Sequence, residues 1–244
     1  MGTMFVPIVY LSLKNQKFRI YAIASLMMIF LGISMIHPLS EVTVLNSPKN
    51  TNIILKPMLS NCATVLSESN SVISKDLQSY LHAKGINKIN TILQKADDME
   101  GIEIIASPQS SLTHQLNLEN PDHPIWYFHY NQLVFIVFTY LDYNDITYFL
   151  NHYDHLDVDV MILANHGSTN ANPSGIFDSI QPKVCICINQ PYLTSHLPSR
   201  AVIKEMNKRG IMWMDTGTYG DISFFGIFHK HFALTSSGKI VIIN

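Results

Sequence analysis

The side chains with chemical capacity in this 244-residue chain are histidines and carboxylates set beside apolar runs. The densest group is His152, Asp154, His155, Asp157 and Asp159. Imidazole and carboxylate are donor types that hold divalent cations, and a bound ion can activate a water for hydrolysis. His166 stands in Asn165-His166-Gly167-Ser168 directly after an apolar run. Those residues also suit a plain turn before a helix, with Ser168 bonding backbone amides. His196 precedes a Pro-led helix and suits a cap, and Asp97-Asp98 suit a solvated turn or a helix N-terminus. Cys185 and Cys187 lie two apart in the apolar run 184–188. On a strand they share a face, too close in sequence for an ordinary disulfide, and read as small buried hydrophobes. No C-x-x-C occurs, which argues against a cysteine-built zinc site. Trp126, Tyr127, Phe128 and Tyr130 read as a half-buried strand, with a base-stacking platform as the alternative.

Composition narrows the setting in which such groups work. Hydrophobic residues make up 47% and charged residues 14%, against roughly 25% charged in an average globular domain. A disordered chain needs the opposite balance. The mean hydropathy of +0.14 points to a part of the chain in a membrane. Lys14, Lys17 and Arg19 are the only charged residues before Glu41, leaving 13 basic against 18 acidic residues in the remainder. That remainder lacks the basic composition expected of a domain whose main task is gripping phosphates.

Residues 1–40 read as a membrane segment. No charge falls between Arg19 and Glu41, and residues 20–39 supply the roughly 20 apolar positions a spanning helix needs. The basic flank is N-terminal, so the positive-inside rule places the N-terminus in the cytoplasm and residues 41–244 on the non-cytoplasmic side of the cell membrane. A cleaved signal peptide is the rival reading. The apolar run is long for one, and SMIHPLSEV offers no small-x-small cleavage site, which favours an uncleaved single-pass helix.

Residues 41–244 read as one domain of mixed strands and helices. Strands are expected at 42–45, 52–55, 89–93, 101–106 and 111–116, and a helix at 71–84 with Gly85 as its stop. The runs 125–130 and 133–138 flank Asn131-Gln132 and predict a hairpin. A short helix follows at 142–151. Further strands are expected at 158–163, 184–188, 211–214, 220–225, 232–235 and 239–243, with helices at 173–180 and 198–209. Such a mixture predicts α/β or α+β layers.

One ordered series of motifs carries a resemblance. It comprises Asn165-His166-Gly167-Ser168, Gln181-Pro182-Lys183-Val184, Ser195-His196, Gly210 and the Thr216 to Gly220 turn. The series resembles the C-terminal metallo-β-lactamase-like domain of the ComEC family of DNA-internalisation competence proteins. Fainter matches are Val42-Thr43-Val44-Leu45-Asn46, where Asn46 replaces an Asp and Pro48 a Gly, and the stretch 77–93. The family also places membrane helices just upstream, so MFVPIVYLSL resembles the end of a preceding one and the chain a truncated member. The resemblance implies a metallo-β-lactamase-like αββα sandwich after one transmembrane helix, with the ends of the strands at Leu93, Leu163 and Ile188 on one edge.

It also implies a metal site, against which this sequence departs. The family's His-x-His-x-Asp-His falls on Leu93-Gln94-Lys95-Ala96-Asp97-Asp98, where only Asp97 keeps its type. Leu141 falls on the Asp of a Thr-Gly-Asp turn, with Asp142 one residue late, and Asn165 falls on the first His of His-His-Gly-Ser. Asp97, Asp98, Asn165, His166, Ser168 and His196 are thus vestigial site positions. Asp97, Asp98, His166 and His196 remain as donors for at most one weakly bound divalent ion, zinc or manganese. In the family frame the 152–159 group is the connection between a helix and the Val158 strand, a solvated linker.

Three functions follow. The first is a truncated ComEC-like membrane protein of DNA uptake whose domain is degenerate and inactive or nearly so. Its partners would be the membrane, DNA and other uptake components, with no small-molecule cofactor. The second is an active metal-dependent hydrolase, a nuclease acting outside the cytoplasm. The third is a membrane-anchored structural module unrelated to DNA uptake.

Overall fold

A computed structural model of the chain describes residues 21, 24–28, 40–47, 51–58, 60–67, 75–91, 103–106, 113–116, 125–153, 155–189, 196–227 and 230–243. Two compact units are present, Met1–Leu39 and Ser40–Asn244. In the first, residues 21 and 24–28 are helical, with Tyr21, Leu26, Met27 and Met28 exposed. The rest of the spanning helix expected at 20–39 lies outside the described residues. Among the described residues no helix is long and apolar enough to cross a membrane.

The second unit is mixed α/β with two sheets. The first sheet contains β1 (Glu41–Val44), β2 (Asn52–Lys56), β3 (Cys62–Ser67), β4 (Lys88–Thr91), β5 (Glu103–Ala106), β12 (Ile222–Ile227), β13 (Lys230–Thr235) and β14 (Ile240–Ile243). Its strand order is β14-β13-β12-β1-β2-β3-β4-β5. The second contains β6 (Thr113–Leu116), β7 (Ile125–Tyr130), β8 (Leu133–Phe138), β9 (Val160–Ile162), β10 (Val184–Cys187) and β11 (Met212–Asp215), in the order β11-β10-β9-β8-β7-β6.

Alternation along the strands builds the layers, because successive side chains leave a strand on opposite faces. Val42, Val44, Ile53, Leu55 and Phe224 meet Trp126, Phe128, Phe135, Val137 and Ile162 in one core between the sheets. Ile136, Phe138, Met161 and Cys185 face the other way. They are covered by α2 (Tyr143–His152), α3 (Ser174–Ile180) and α4 (Arg200–Lys208), through Phe149, Phe177 and Met206 among others. On the far side of the first sheet, α1 (Lys75–Ala83) sets Leu77 and Leu81 on Ile54, Val65 and Ile89. The layers therefore run helix, sheet, sheet, helix. The central strands of the second sheet are buried on both faces, which is why 133–138 and 184–187 read as unbroken apolar runs.

Polar contacts fix α1 to its sheet. Glu41, 3% exposed, pairs with Lys84 at 3.0 Å. The Tyr80 hydroxyl donates to Thr43 Oγ1 at 2.8 Å, and burial pushes the Tyr80 phenol well above its ordinary range.

Several boundaries differ from the sequence reading. The strand β3 is not evident in the sequence, because it lies mid-sheet between β2 and β4, buried on both faces, so its Cys-Ala-Thr-Val-Leu-Ser shows no alternation. Helix α4 starts at Arg200 rather than Pro198, since the Ser199 side chain accepts Val202 N–H and so occupies the cap position. Residues 216–219 form a short helix, α5 (Thr216–Tyr219), capped by Asp215, rather than an open turn.

Candidate functional site

The strands β8, β9, β10 and β11 run parallel in neighbouring positions. Their C-terminal ends therefore share one edge, which is where open α/β sheets collect functional groups. Leu163 and Ile188 both fall there, as expected. Leu93, Lys95, Asp97 and Asp98 lie outside the described residues.

At the end of β8, Leu141 is 2% exposed. The Asp142 carboxylate accepts Asp145 N–H at 2.8 Å, and Asp145 returns a bond from Asp142 N–H at 3.1 Å. That reciprocal pair is a capping box for α2, so the Asp142 side chain serves the helix rather than the edge.

At the end of β9 the backbone turns through left-handed conformations at Asn165 (φ 45°), His166 (φ 55°) and Gly167 (φ 77°). The Asn165 amide forms a two-point clamp on the chain end of β8. Its Oδ1 accepts Leu141 N–H at 3.0 Å, and its Nδ2 donates to Leu141 O at 3.1 Å. The Asn165 backbone N–H adds a bond to Thr139 O at 3.1 Å. The two positions where the family resemblance implies an Asp and a His thus hold each other directly.

His166 Nδ1 lies 2.6 Å from Ile188 O. A carbonyl can only accept, so Nδ1 carries a proton, and in the neutral imidazole the lone pair is on Nε2. The His166 carbonyl in turn accepts the Cys187 thiol at 3.0 Å. Burial pushes both the Cys185 and Cys187 thiols far up, helped by their mutual charge at Cys185 and by Asp215 at Cys187. As thiols they are structural groups rather than nucleophiles.

Asn172, which the sequence reading missed, performs the local bonding expected of Ser168. Its amide accepts Ala164 N–H at 3.1 Å and donates to Ala164 O at 2.9 Å and Ser168 O at 2.8 Å. Its one sequence signal is its place in an Asn-Pro pair ahead of a helix.

The ends of β10 and β11 are tied in the same way. Thr216 Oγ1 accepts Asn189 N–H at 3.0 Å and donates to Asn189 O at 3.2 Å. Asp215 accepts Thr218 N–H at 2.7 Å, and the Asn189 amide donates to Leu197 O. Ser199 N–H donates to Gly167 O at 3.0 Å, and the Ser199 and Thr169 hydroxyls pair at 2.6 Å. Between α4, β11 and α5 these ties leave an open cleft of about 780 Å³, with exposed His196 at its rim.

Among the described residues, no group of three or more His, Cys, Asp or Glu side chains stands together to hold a metal ion. Leu141 offers no donor, the Asn165 amide bonds backbone through both its oxygen and its nitrogen, and Asp142 is engaged with its helix. The open nitrogen donors on this edge are His166 Nε2 and His196. These residues do not fit a two-ion centre, which needs ligands from several strand ends at once.

The 152–159 group is dispersed. His152 stacks on Tyr148 at 3.9 Å and bonds its carbonyl, while His155 and Asp157 are exposed. Asp154 lies outside the described residues. Asp159 departs from the linker reading: 9% exposed, it accepts Val134 N–H at 2.8 Å and pairs with Lys183 at 2.9 Å. In the aromatic run, Trp126 and Phe128 are fully buried in the inter-sheet core and cannot stack on a ligand, while Tyr127 and Tyr130 are half-buried.

No protein-family model matches the chain, and no curated protein matches it. Among solved structures it is similar to a Thermotoga maritima protein assigned to the zinc-dependent hydrolases of the metallo-β-lactamase superfamily. The two share 10% sequence identity over 62% of this chain and 76% of that one, with a TM-score of 0.30.

Proposed function

We propose that this chain is a membrane-anchored, ComEC-like protein associated with DNA uptake. Its metallo-β-lactamase-like αββα domain retains the scaffold and has lost the hydrolytic centre. The motif series from Asp159 to Phe224 and the helix–sheet–sheet–helix layering support the scaffold. The observation that carries the loss of hydrolysis is the Asn165–Leu141 clamp, since it closes with protein groups the gap between strand ends that bridging ligands need. The remaining role is binding or assembly, with the membrane, DNA and other uptake components as partners. The residues that would hold a single zinc or manganese ion are His166, His196, Asp97 and Asp98. Such an ion would supply Lewis acidity to a water or a phosphate oxygen.

The test is metal content and DNA cleavage of the full-length protein, purified in detergent and incubated with zinc or manganese. Fewer than two ions per chain and no metal-dependent cleavage are expected. Two tightly held ions, or cleavage that disappears in His166→Ala, would defeat the reading. They would establish the second one, an active nuclease outside the cytoplasm. One observation favours that alternative: the Nδ1–H bond to Ile188 O orients His166 as metal-binding histidines commonly are.

The orientation is tested separately. With helix 20–39 spanning the cell membrane and its basic flank inside, protease added to spheroplasts should digest residues 41–244 and spare the N-terminus. Protection of the domain would reverse the topology.

A further inference from the structure

We propose that the cleft at the head of α4 binds a small organic anion, a phosphate or carboxylate carried on a planar body. Arg200 and His196 would contact the charge, and Trp213 would lie against the body. The cleft of about 780 Å³ has apolar walls from Leu197, Pro198, Ile203 and Trp213. Its size is that of a small-molecule site, and polar side chains, Arg200 and His196 among them, share the lining with those apolar walls.

Its walls are fixed by bonds already made. The Asn189–Thr216 pair forms the base, Ser199 ties the head of α4 to Gly167, and Thr218 N–H ties the start of α5 to Asp215. The Asp215 carboxylate, 8% exposed, is the one acidic side chain in the lining and is engaged as that cap. Arg200 and His196, in contrast, are exposed and have no hydrogen-bond or ion-pair partner among the described residues.

The charges around Arg200 point the same way. A helix ordinarily carries acidic residues in its first turn, and α4 has none. Lys204 follows Arg200 at i+4, a like-charge spacing that destabilises a helix. An anion in the cleft would relieve both. The remainder of the domain is acidic by composition, so this cluster is a local reversal rather than part of a general basic surface.

The site rests on the reading that no two-ion centre claims His196. Its test is independent, because it uses metal-free protein and reports on a different residue. The chain has two tryptophans, and Trp126 is fully buried, so a ligand-induced fluorescence change reports on Trp213. The full-length protein in detergent with chelator would be titrated with adenosine monophosphate, benzoate, inorganic phosphate and adenosine.

A saturable change is expected with adenosine monophosphate or benzoate, and which of the two binds more tightly identifies the anion. Inorganic phosphate and adenosine should each bind less tightly than adenosine monophosphate. Arg200→Gln should weaken binding by about tenfold or more, as expected for a lost charge-assisted hydrogen bond, with an unchanged circular dichroism spectrum. Lys204→Gln should weaken it less, by an amount that vanishes at high salt. No saturation, adenosine binding as tightly as its monophosphate, or undiminished binding in Arg200→Gln would overturn the site. Metal content and nuclease activity would be unaffected by any of these outcomes.

Discussion

Replacing Asn165 by alanine is expected to lower the unfolding free energy by about 3–8 kcal/mol. Two contributions add. The Leu141 N–H and C=O lose their partners next to a side chain only 2% exposed, and each buried backbone group left unpaired costs about 1–3 kcal/mol. Alanine must also hold φ 45°, ψ 49°, a left-handed conformation that costs an ordinary L-residue about 1–2 kcal/mol and that asparagine tolerates. Asn165→Gly removes the second contribution and should be more stable than Asn165→Ala by about 1 kcal/mol. Asn165→Asp keeps an acceptor for Leu141 N–H and sets a carboxylate oxygen against Leu141 O, so it should fall well below the wild type. Urea unfolding of the three variants checks the set. A loss under about 1 kcal/mol in Asn165→Ala would mean that the clamp does not close the edge. Chelator should not shift the wild-type midpoint, because the joint between β8 and β9 is made of protein.

The parts of this fold that are legible in the sequence are those set by local pattern. The strands β7 and β8 begin and end where expected, and Asn131 and Gln132 take φ 52° and 65° between them. That is the left-handed pair a two-residue hairpin needs, although Asn-Gln is a weak signal for it. The common edge at Leu163 and Ile188 came from the family resemblance rather than from local pattern. The parallel pairing of β8, β9, β10 and β11 accounts for it, since parallel neighbours put their strand ends on one side.

The clamps along that edge were not legible. Asn165 meets Leu141 24 residues away, and Asn189 meets Thr216 27 residues away. Such pairs depend on which strand lies beside which, and no local pattern encodes it. The sequence marks Asn165 only as a missing histidine, whereas the structure gives it a bonding role of its own. Asp159 was misread for the same reason, because its partners sit on β8 and beside β10.

Gly167 offers the second large effect, and its size separates crowding from backbone strain. A β-carbon built there would lie 2.7 Å from Pro198 Cβ, 3.1 Å from Pro198 Cα and 3.4 Å from Cys187 Sγ. The proline ring cannot rotate away, and its backbone is held by the Ser199 N–H bond to Gly167 O at 3.0 Å. Gly167→Ala therefore combines a residue at φ 77°, costing about 1–2 kcal/mol, with overpacking of about 1–3 kcal/mol. Gly210→Ala is the matched control. It has φ 69° with nothing within 4 Å of the added carbon, so only the conformational cost applies. Gly167→Ala should be less stable than Gly210→Ala by at least about 1 kcal/mol in urea unfolding. It should also loosen the head of α4, since the added methyl must push the Pro198–Ser199 segment outward. Adenosine monophosphate should then bind less tightly to Gly167→Ala at temperatures where the variant is fully folded, and unchanged to Gly210→Ala. Equal stability of the two alanine variants would show that the β9 turn and the α4 head are not in contact as described.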